Sequence, residues 1–206
     1  VPDATTVWLF REQLAKQGLI DELFEQFATF LQTAGYQAKG GQIIDATIIP
    51  VPKQRNTKAE NQQVKQGEVP ADWQADPHKL AQKDVDARWT KKNGVSYFGY
   101  KDHISTDVHY GFIRRYAVTD ASVHDSQVLG ALLDADNADD DLWADSAYLS
   151  EAIQEVLAWM GFISHINERA YRNRPLTEEQ IEANRERSKT RAKVEHVFGC
   201  WVTEMG

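Results

Sequence analysis

Three carboxylates stand in this sequence where solubility does not account for them. Asp45 lies inside "GGQIIDATIIPVPK", where Ile43, Ile44, Thr47, Ile48 and Ile49 suit a strand covered on both faces. Asp145 sits in "LWADSAY" beside Leu142, Trp143 and Ala147, and Glu195 lies on the half-apolar end of "RAKVEHVFG". Each taken singly has a simple alternative: an ion pair, a strand-end hydrogen bond or a helix-surface contact. Taken together they describe a cation site, because convergent carboxylates repel and stay ionised only when positive charge holds them. Hard oxygen ligands suit Mg²⁺ or Mn²⁺, and the single Cys200 offers no cluster for structural zinc. Two such ions about 3.5 to 4 Å apart can activate an attacking oxygen and stabilise a leaving one in phosphodiester displacement.

The elements that must position these acids follow from local pattern. Thr5 or Thr6 caps a helix carrying Val7, Phe10 and Leu14 and ending at Gly18; a second helix runs from Ile20 to before Gly35. The second helix offers Asp21, Glu22 and Glu25 and no basic residue, so the pair reads as a packing annex and not as a reader of a DNA groove. The strand around Asp45 is followed by a polar insert at about 52–94, too poor in apolar residues for a core of its own and read as loop with partial helix. "VSYFGYKDHIST" and "GFIRRYAVT" form a hairpin across Asp107 to Gly111. "DSQVLGALLDA" reads as helix, "DDDLWADSAY" as strand, Ser150 to Met160 as a capped helix and "GFISHIN" as strand. Thr177 opens a long helix reaching about Trp201. This order predicts an α/β fold, a mixed sheet flanked by helices with a small N-terminal helical segment.

Composition bounds the partners. With 206 residues, 42% of them hydrophobic, one substantial core is expected, and no run approaches the roughly 18 apolar residues of a membrane span. With one cysteine and no signal-peptide pattern, a reducing cytoplasm is the expected location. The start at Val1 and the stop at Gly206 suggest a fragment. The net charge of −8 hides an asymmetry: residues 51–101 carry ten Lys/Arg against six Asp/Glu, residues 165–193 eight against five, and residues 102–164 two against twelve. Basic flanks around an acidic block fit phosphate contacts beside a metal centre, and equally fit solvated surface.

The strand "IIDATII", the segment "YFGYKDHISTD", the "VHDS" at 123–126, "LWADSAY" and "RAKVEHVFG" resemble, in this order, the DDE transposases of bacterial insertion sequences, specifically the insertion sequence five branch. The resemblance covers nearly the whole chain, including "VPDATTVWLFREQL" ahead of the catalytic part. It implies a ribonuclease-H-like catalytic domain over 39–206, with 1–38 as the end of an N-terminal domain. It further implies a DNA transposase or endonuclease using two Mg²⁺, with Mn²⁺ possible. Asp45, Asp145 and Glu195 would be its catalytic metal ligands, acting on inverted-repeat ends and target duplex as a homodimer assembled on DNA. The alternatives are an inactive truncated remnant that only binds DNA or protein, or another ribonuclease-H-like nuclease.

Supporting residues are read the same way. Arg191, one turn before Glu195, would orient that carboxylate or bind phosphate, against the alternative of an ordinary i,i+4 pair. Lys101, Lys91, Lys92 and Lys193 are candidates for DNA-backbone contact, the alternative being solvated lysines. His124 and Asp125 either stand behind the metal carboxylates or form a helix start capped by Asp125, the preferred reading. Relatives with Tyr and Lys at the positions of Ser188 and Val202 mark departures in this chain. His103, His109 and His196 are expected to be structural, and Trp89 and Trp143 core aromatics.

Overall fold

The β-branched run around Asp45 forms the centre of a sheet. The computed structural model describes residues 2–204, with side chains as far as Trp201, so Val202 falls beyond the side chains described. In chain order the elements are α1 (Ala4–Lys16), α2 (Ile20–Thr33), β1 (Gln42–Pro50), α3 (Lys58–Lys65), α4 (Ala71–Gln74), α5 (Pro77–Leu80), β2 (Arg88–Lys92), β3 (Val95–Asp107), β4 (Ile113–Asp120), α6 (Leu129–Leu132), β5 (Asp141–Ala144), α7 (Glu151–Trp159), β6 (Ile163–Ile166) and α8 (Glu178–Glu204).

The sheet runs β2-β3-β1-β5-β6, with β4 pairing the later half of β3. Strand β1 is antiparallel to β3, placing Asp45 opposite Ile104, and parallel to β5, placing Ile44 opposite Ala144. β5 is parallel to β6. This mixed order flanked by helices is compatible with the ribonuclease-H-like fold expected from the motifs.

The absence of alternation in β1 has a direct cause, since its two faces are covered by different helices. Ile44 packs with Leu129, Leu132, Leu142, Leu157 and Ile166 on the side of α6 and α7, whereas Ile43 packs with Ile104 and Val194 of α8. Ile43, Ile44, Leu142, Leu157 and Val194 are fully buried. Each contributes about 1.5–3 kcal/mol of hydrophobic stabilisation. Period-2 geometry puts Asp45 on the Ile43 face, under α8. Entry to β1 needs Gly41, whose φ is +79° and whose missing Cβ leaves room for the Asp141 carbonyl and the Trp143 ring. Gly41→Ala is expected to cost about 2–3 kcal/mol in urea unfolding, because the backbone strain and the overpacking against β5 add.

Local signals set several ends. Ser150 Oγ accepts from the Ile153 amide at 3.2 Å to start α7, and Thr177 exchanges hydrogen bonds with Gln180 to start α8. Asp3, not Thr5 or Thr6, caps α1, accepting from the Thr6 amide at 2.7 Å; its carboxylate competes well for the exposed N–H groups. The "DSQVLGALLDA" helix is shorter than its pattern suggests, a 3-10 turn at Asp125–Gln127 followed by one turn of α6. The Asp107 carboxylate accepts from the Tyr110 and Phe112 amides and closes the β3–β4 hairpin.

The insert is loop with partial helix, as read from its sequence, but it has a small centre of its own. Trp73 of α4 is fully buried, and its indole N–H donates to Glu60 of α3 at 2.7 Å while Glu60 also closes a capping box with Thr57. One large aromatic with a satisfied N–H organises a segment whose apolar count is low. Trp89, expected in the core, is 47% exposed, because β2 is an edge strand where its ring packs on Phe98 of β3 but has no further strand beside it.

Candidate active site

Parallel pairing of β1 with β5 brings Asp45 and Asp145 together although 100 positions separate them. Both follow buried strand residues, Ile44 and Ala144, that are register partners. Asp45 Oδ1 accepts from the Ala46 amide at 2.8 Å, and Asp145 Oδ1 accepts from the Ala147 amide, capping the 3-10 turn Ser146–Tyr148. One oxygen of each carboxylate is thereby tied to backbone, and the other remains for a cation.

That cation is the Arg191 guanidinium. Its Nη2 lies 3.2 Å from Asp45 Oδ2 and 4.0 Å from Asp145 Oδ2. Asp45 is the more enclosed, with a side chain 22% exposed against 42% for Asp145. Burial raises the Asp45 pKa above the usual carboxylate value; Arg191 and the Ala46 amide oppose that rise, and the Asp145 charge adds to it. Asp45 is therefore not fully compensated by Arg191. Arg191 Nε is itself buried without a hydrogen-bond partner, so the guanidinium is held by its carboxylate contacts.

Glu195 stands apart from this pair. It is exposed on α8, one residue after the fully buried Val194, and the described residues contain no group of three His, Cys, Asp or Glu placed to hold one metal ion. The ion pairs described for Arg191 are with Asp45 and Asp145, and the i,i+4 pair with Glu195, the alternative reading, is not among them. Lys101 is also turned inward, bonding Asp125 Oδ1 and the Val123 carbonyl at 2.7 Å each, with 13% of its side chain exposed. The cap after Val123 is His124, which accepts from the Ser126 amide, leaving Asp125 free for Lys101; this corrects the reading of Asp125 as the cap. Lys91 and Lys92 are exposed on edge strand β2, and Lys193 reaches the Val108 carbonyl at 3.1 Å. His103 is buried against Thr119, as a structural histidine should be.

Two site neighbours escaped the sequence reading. The Tyr148 hydroxyl is buried with no hydrogen-bond partner, within electrostatic reach of Asp125, Asp45, Asp145 and Arg191, and burial pushes its pKa up. Its signal was its place three residues after Asp145. Asp102 shares the face of Asp45 on the neighbouring strand, its Oδ1 is buried without a partner, and burial lifts its pKa to about 6. A raised pKa means that the folded state holds the proton more tightly than the unfolded chain. Asp102 therefore supports folding fully below about pH 4, and that support is lost as pH rises through about 6. Asp102→Asn is expected to raise the urea midpoint at pH 8 by the equivalent of up to about 3 kcal/mol and to leave it nearly unchanged at pH 4.

Residues 36–206 match the transposase DDE domain family. The chain belongs to that family. It is also 34% identical over 192 residues to the transposase for insertion sequence element IS1106 of Neisseria meningitidis serogroup B. The alignment covers 92% of this chain and 64% of that relative, so the chain spans a little under two thirds of the relative's length. No solved structure matches the chain. The ordered motifs around Asp45, Asp145 and Glu195 all fall inside the family match. Among the described residues no helix is long and apolar enough to cross a membrane.

The donor set suits a divalent cation in part. Two carboxylates close enough to share one guanidinium, each with an oxygen free of backbone bonds, are hard ligands already arranged around positive charge. The third carboxylate is not beside them in this arrangement.

Proposed function

We propose that this chain carries the catalytic domain of a DNA transposase over residues 39–206, with 1–38 as a helical segment joined to it. The observation that carries this reading is the convergence of Asp45 and Asp145, from distant parts of the chain, on a single cation within a DDE-family match. Asp45 and Asp145 would hold divalent metal, two Mg²⁺ with Mn²⁺ as the substitute, and Glu195 would complete the set from one turn beyond Arg191. Metal bound there supplies Lewis acidity to the attacking and leaving oxygens of a phosphodiester.

The protein's own part is to orient and to balance charge. The Ala46 and Ala147 amides each fix one oxygen of an aspartate, so the free oxygens point to a common place without reorganisation. Arg191 compensates the two aspartates until substrate arrives, and its guanidinium has the geometry to take a phosphate oxygen afterwards. No side chain here serves as a covalent nucleophile. Water opens the phosphodiester at the element end, and the released 3′-hydroxyl attacks the target duplex in line. The substrates are inverted-repeat ends and target DNA, the working assembly is a homodimer on DNA, and the compartment is the bacterial cytoplasm. Cutting of an end-labelled inverted-repeat duplex with Mg²⁺ tests this; absence of any nicking by the wild-type chain would leave only a binding role.

A further inference from the structure

The insert holds a cavity that the cation site does not use. About 650 Å³ in volume, it opens between the segment continuing β1, Val51 to Arg55, and the segment from Lys79 to Asp86. Its charge balance is uneven once internal bonds are assigned. Lys79 is neutralised by Asp72 and Glu60. Asp84 spends one carboxylate oxygen on the amides of Asp86 and Ala87 and on the Tyr100 hydroxyl, at 3.0, 2.8 and 2.7 Å. Lys53, Arg55 and Lys83 remain against the charges of Asp84 and Asp86, which also line the cavity, and none of the three cations has a carboxylate within ion-pair distance among the described residues.

Lys83 is the most informative of the three. It is half-buried, donates to Asn56 Oδ1 at 2.6 Å and the Arg55 carbonyl at 3.3 Å, and stands 4.7 Å from the centre of the buried Trp73 ring. A cation fixed by neutral acceptors and an aromatic face keeps its full charge with its side chain already ordered. Lys53 is placed similarly, 5.7 Å from the Trp89 ring centre. Such an arrangement favours an anion that arrives from outside.

The cavity is in line with the aspartates. Asp45, Thr47, Ile49 and Val51 lie on one face of the strand by its period of two, and the Val51 amide still bonds the Phe98 carbonyl. That face is covered by α8 at Ile43 but open at Ile49, which is 41% exposed. Six residues of strand from Asp45 to Val51 span about 20 Å, comparable with about six base pairs of duplex at 3.4 Å each.

From this geometry we infer that the cavity of Lys53, Arg55 and Lys83 is a phosphate-binding site for duplex DNA, gripping the backbone about half a helical turn from the bond attacked at Asp45 and Asp145. The inference rests on the transposase reading for its ligand. The grip is independent of sequence, because it meets phosphates and no base edges. The exposed Lys91 lies on the same face of β2 as Trp89, two residues further along the strand.

Binding of a fluorescein-labelled 30-base-pair duplex, followed by anisotropy from 50 to 300 mM salt, tests the site. Each phosphate contact contributes about 0.9 to the slope of log K against log salt. The K53Q/R55Q/K83Q variant is expected to lose about 2 to 3 from that slope and at least tenfold in affinity at 100 mM salt. K53Q/R55Q, which leaves the Trp73 contact intact, should lose about 2. A control, R11Q/K16Q/K65Q, should change the slope by less than 1. Wild-type slope and affinity in both cavity variants would overturn the inference, as would failure of the wild type to bind duplex. Nicking by the wild type together with unaffected binding in the variants sinks the cavity alone; a cavity-dependent slope without any nicking supports the cavity and counts against the transposase reading.

Discussion

Asp145→Asn is expected to reduce Mg²⁺-dependent nicking of an inverted-repeat duplex by at least about a thousandfold, equivalent to about 4 kcal/mol of transition-state stabilisation, while leaving the fold intact. The substitution keeps an oxygen able to cap the Ser146–Tyr148 turn through the Ala147 amide, so local structure is preserved. It removes the negative charge that, with Asp45, creates the demand for a cation. Asp145→Ala removes the charge and the cap together, and should add a stability loss of about 1 kcal/mol to the same catalytic defect. Comparing the two separates chemistry from folding. Equal nicking by the wild type and both variants would remove the proposed site.

Arg191→Ala is expected to destabilise the metal-free protein by about 2 kcal/mol at pH 8, and added Mg²⁺ or Mn²⁺ should recover most of that loss. Deleting one partner of an enclosed ion pair leaves the other charge uncompensated. Here the remaining charge is Asp45, with Asp145 close enough to add repulsion. The partial exposure of both carboxylates keeps the cost below that of a fully buried pair. A divalent cation fills the vacated role, so the rise in melting temperature with metal should be larger for the variant than for the wild type. Identical metal-induced shifts would show that guanidinium and metal do not share these carboxylates.

Much of the fold was legible because its signals are local. The β-branched run of β1, the Ser150 cap and the Thr177–Gln180 exchange each act within a few residues, and the hairpin closed by Asp107 is nearly as short. The Asp3 cap and the shortened α6 show the limit of such signals. Two capping candidates a few residues apart are separated only by a small difference in bond energy, and an apolar pattern does not say how many turns tertiary packing will retain.

The site was legible only as a set of residue types. Asp45 and Asp145 could be singled out as carboxylates with poor local justification. That Arg191 would meet Asp45, 146 positions away, follows from which face of α8 meets β1. Lys101 looked like a surface lysine until β3 brought it beside Asp125, and Trp89 like a core residue until β2 proved to be an edge. The insert seemed coreless because counting apolar residues misses what one buried Trp73 can organise.

The sequence by itself determined which segments become strands and helices, and that three acids stand among apolar neighbours, because propensity, capping and periodicity are properties of neighbouring residues. The tertiary structure decided the parallel pairing of β1 with β5 and the face presented by α8. Those choices depend on contacts made across the whole chain, and they set two of the acids around one guanidinium while leaving the third on the helix surface.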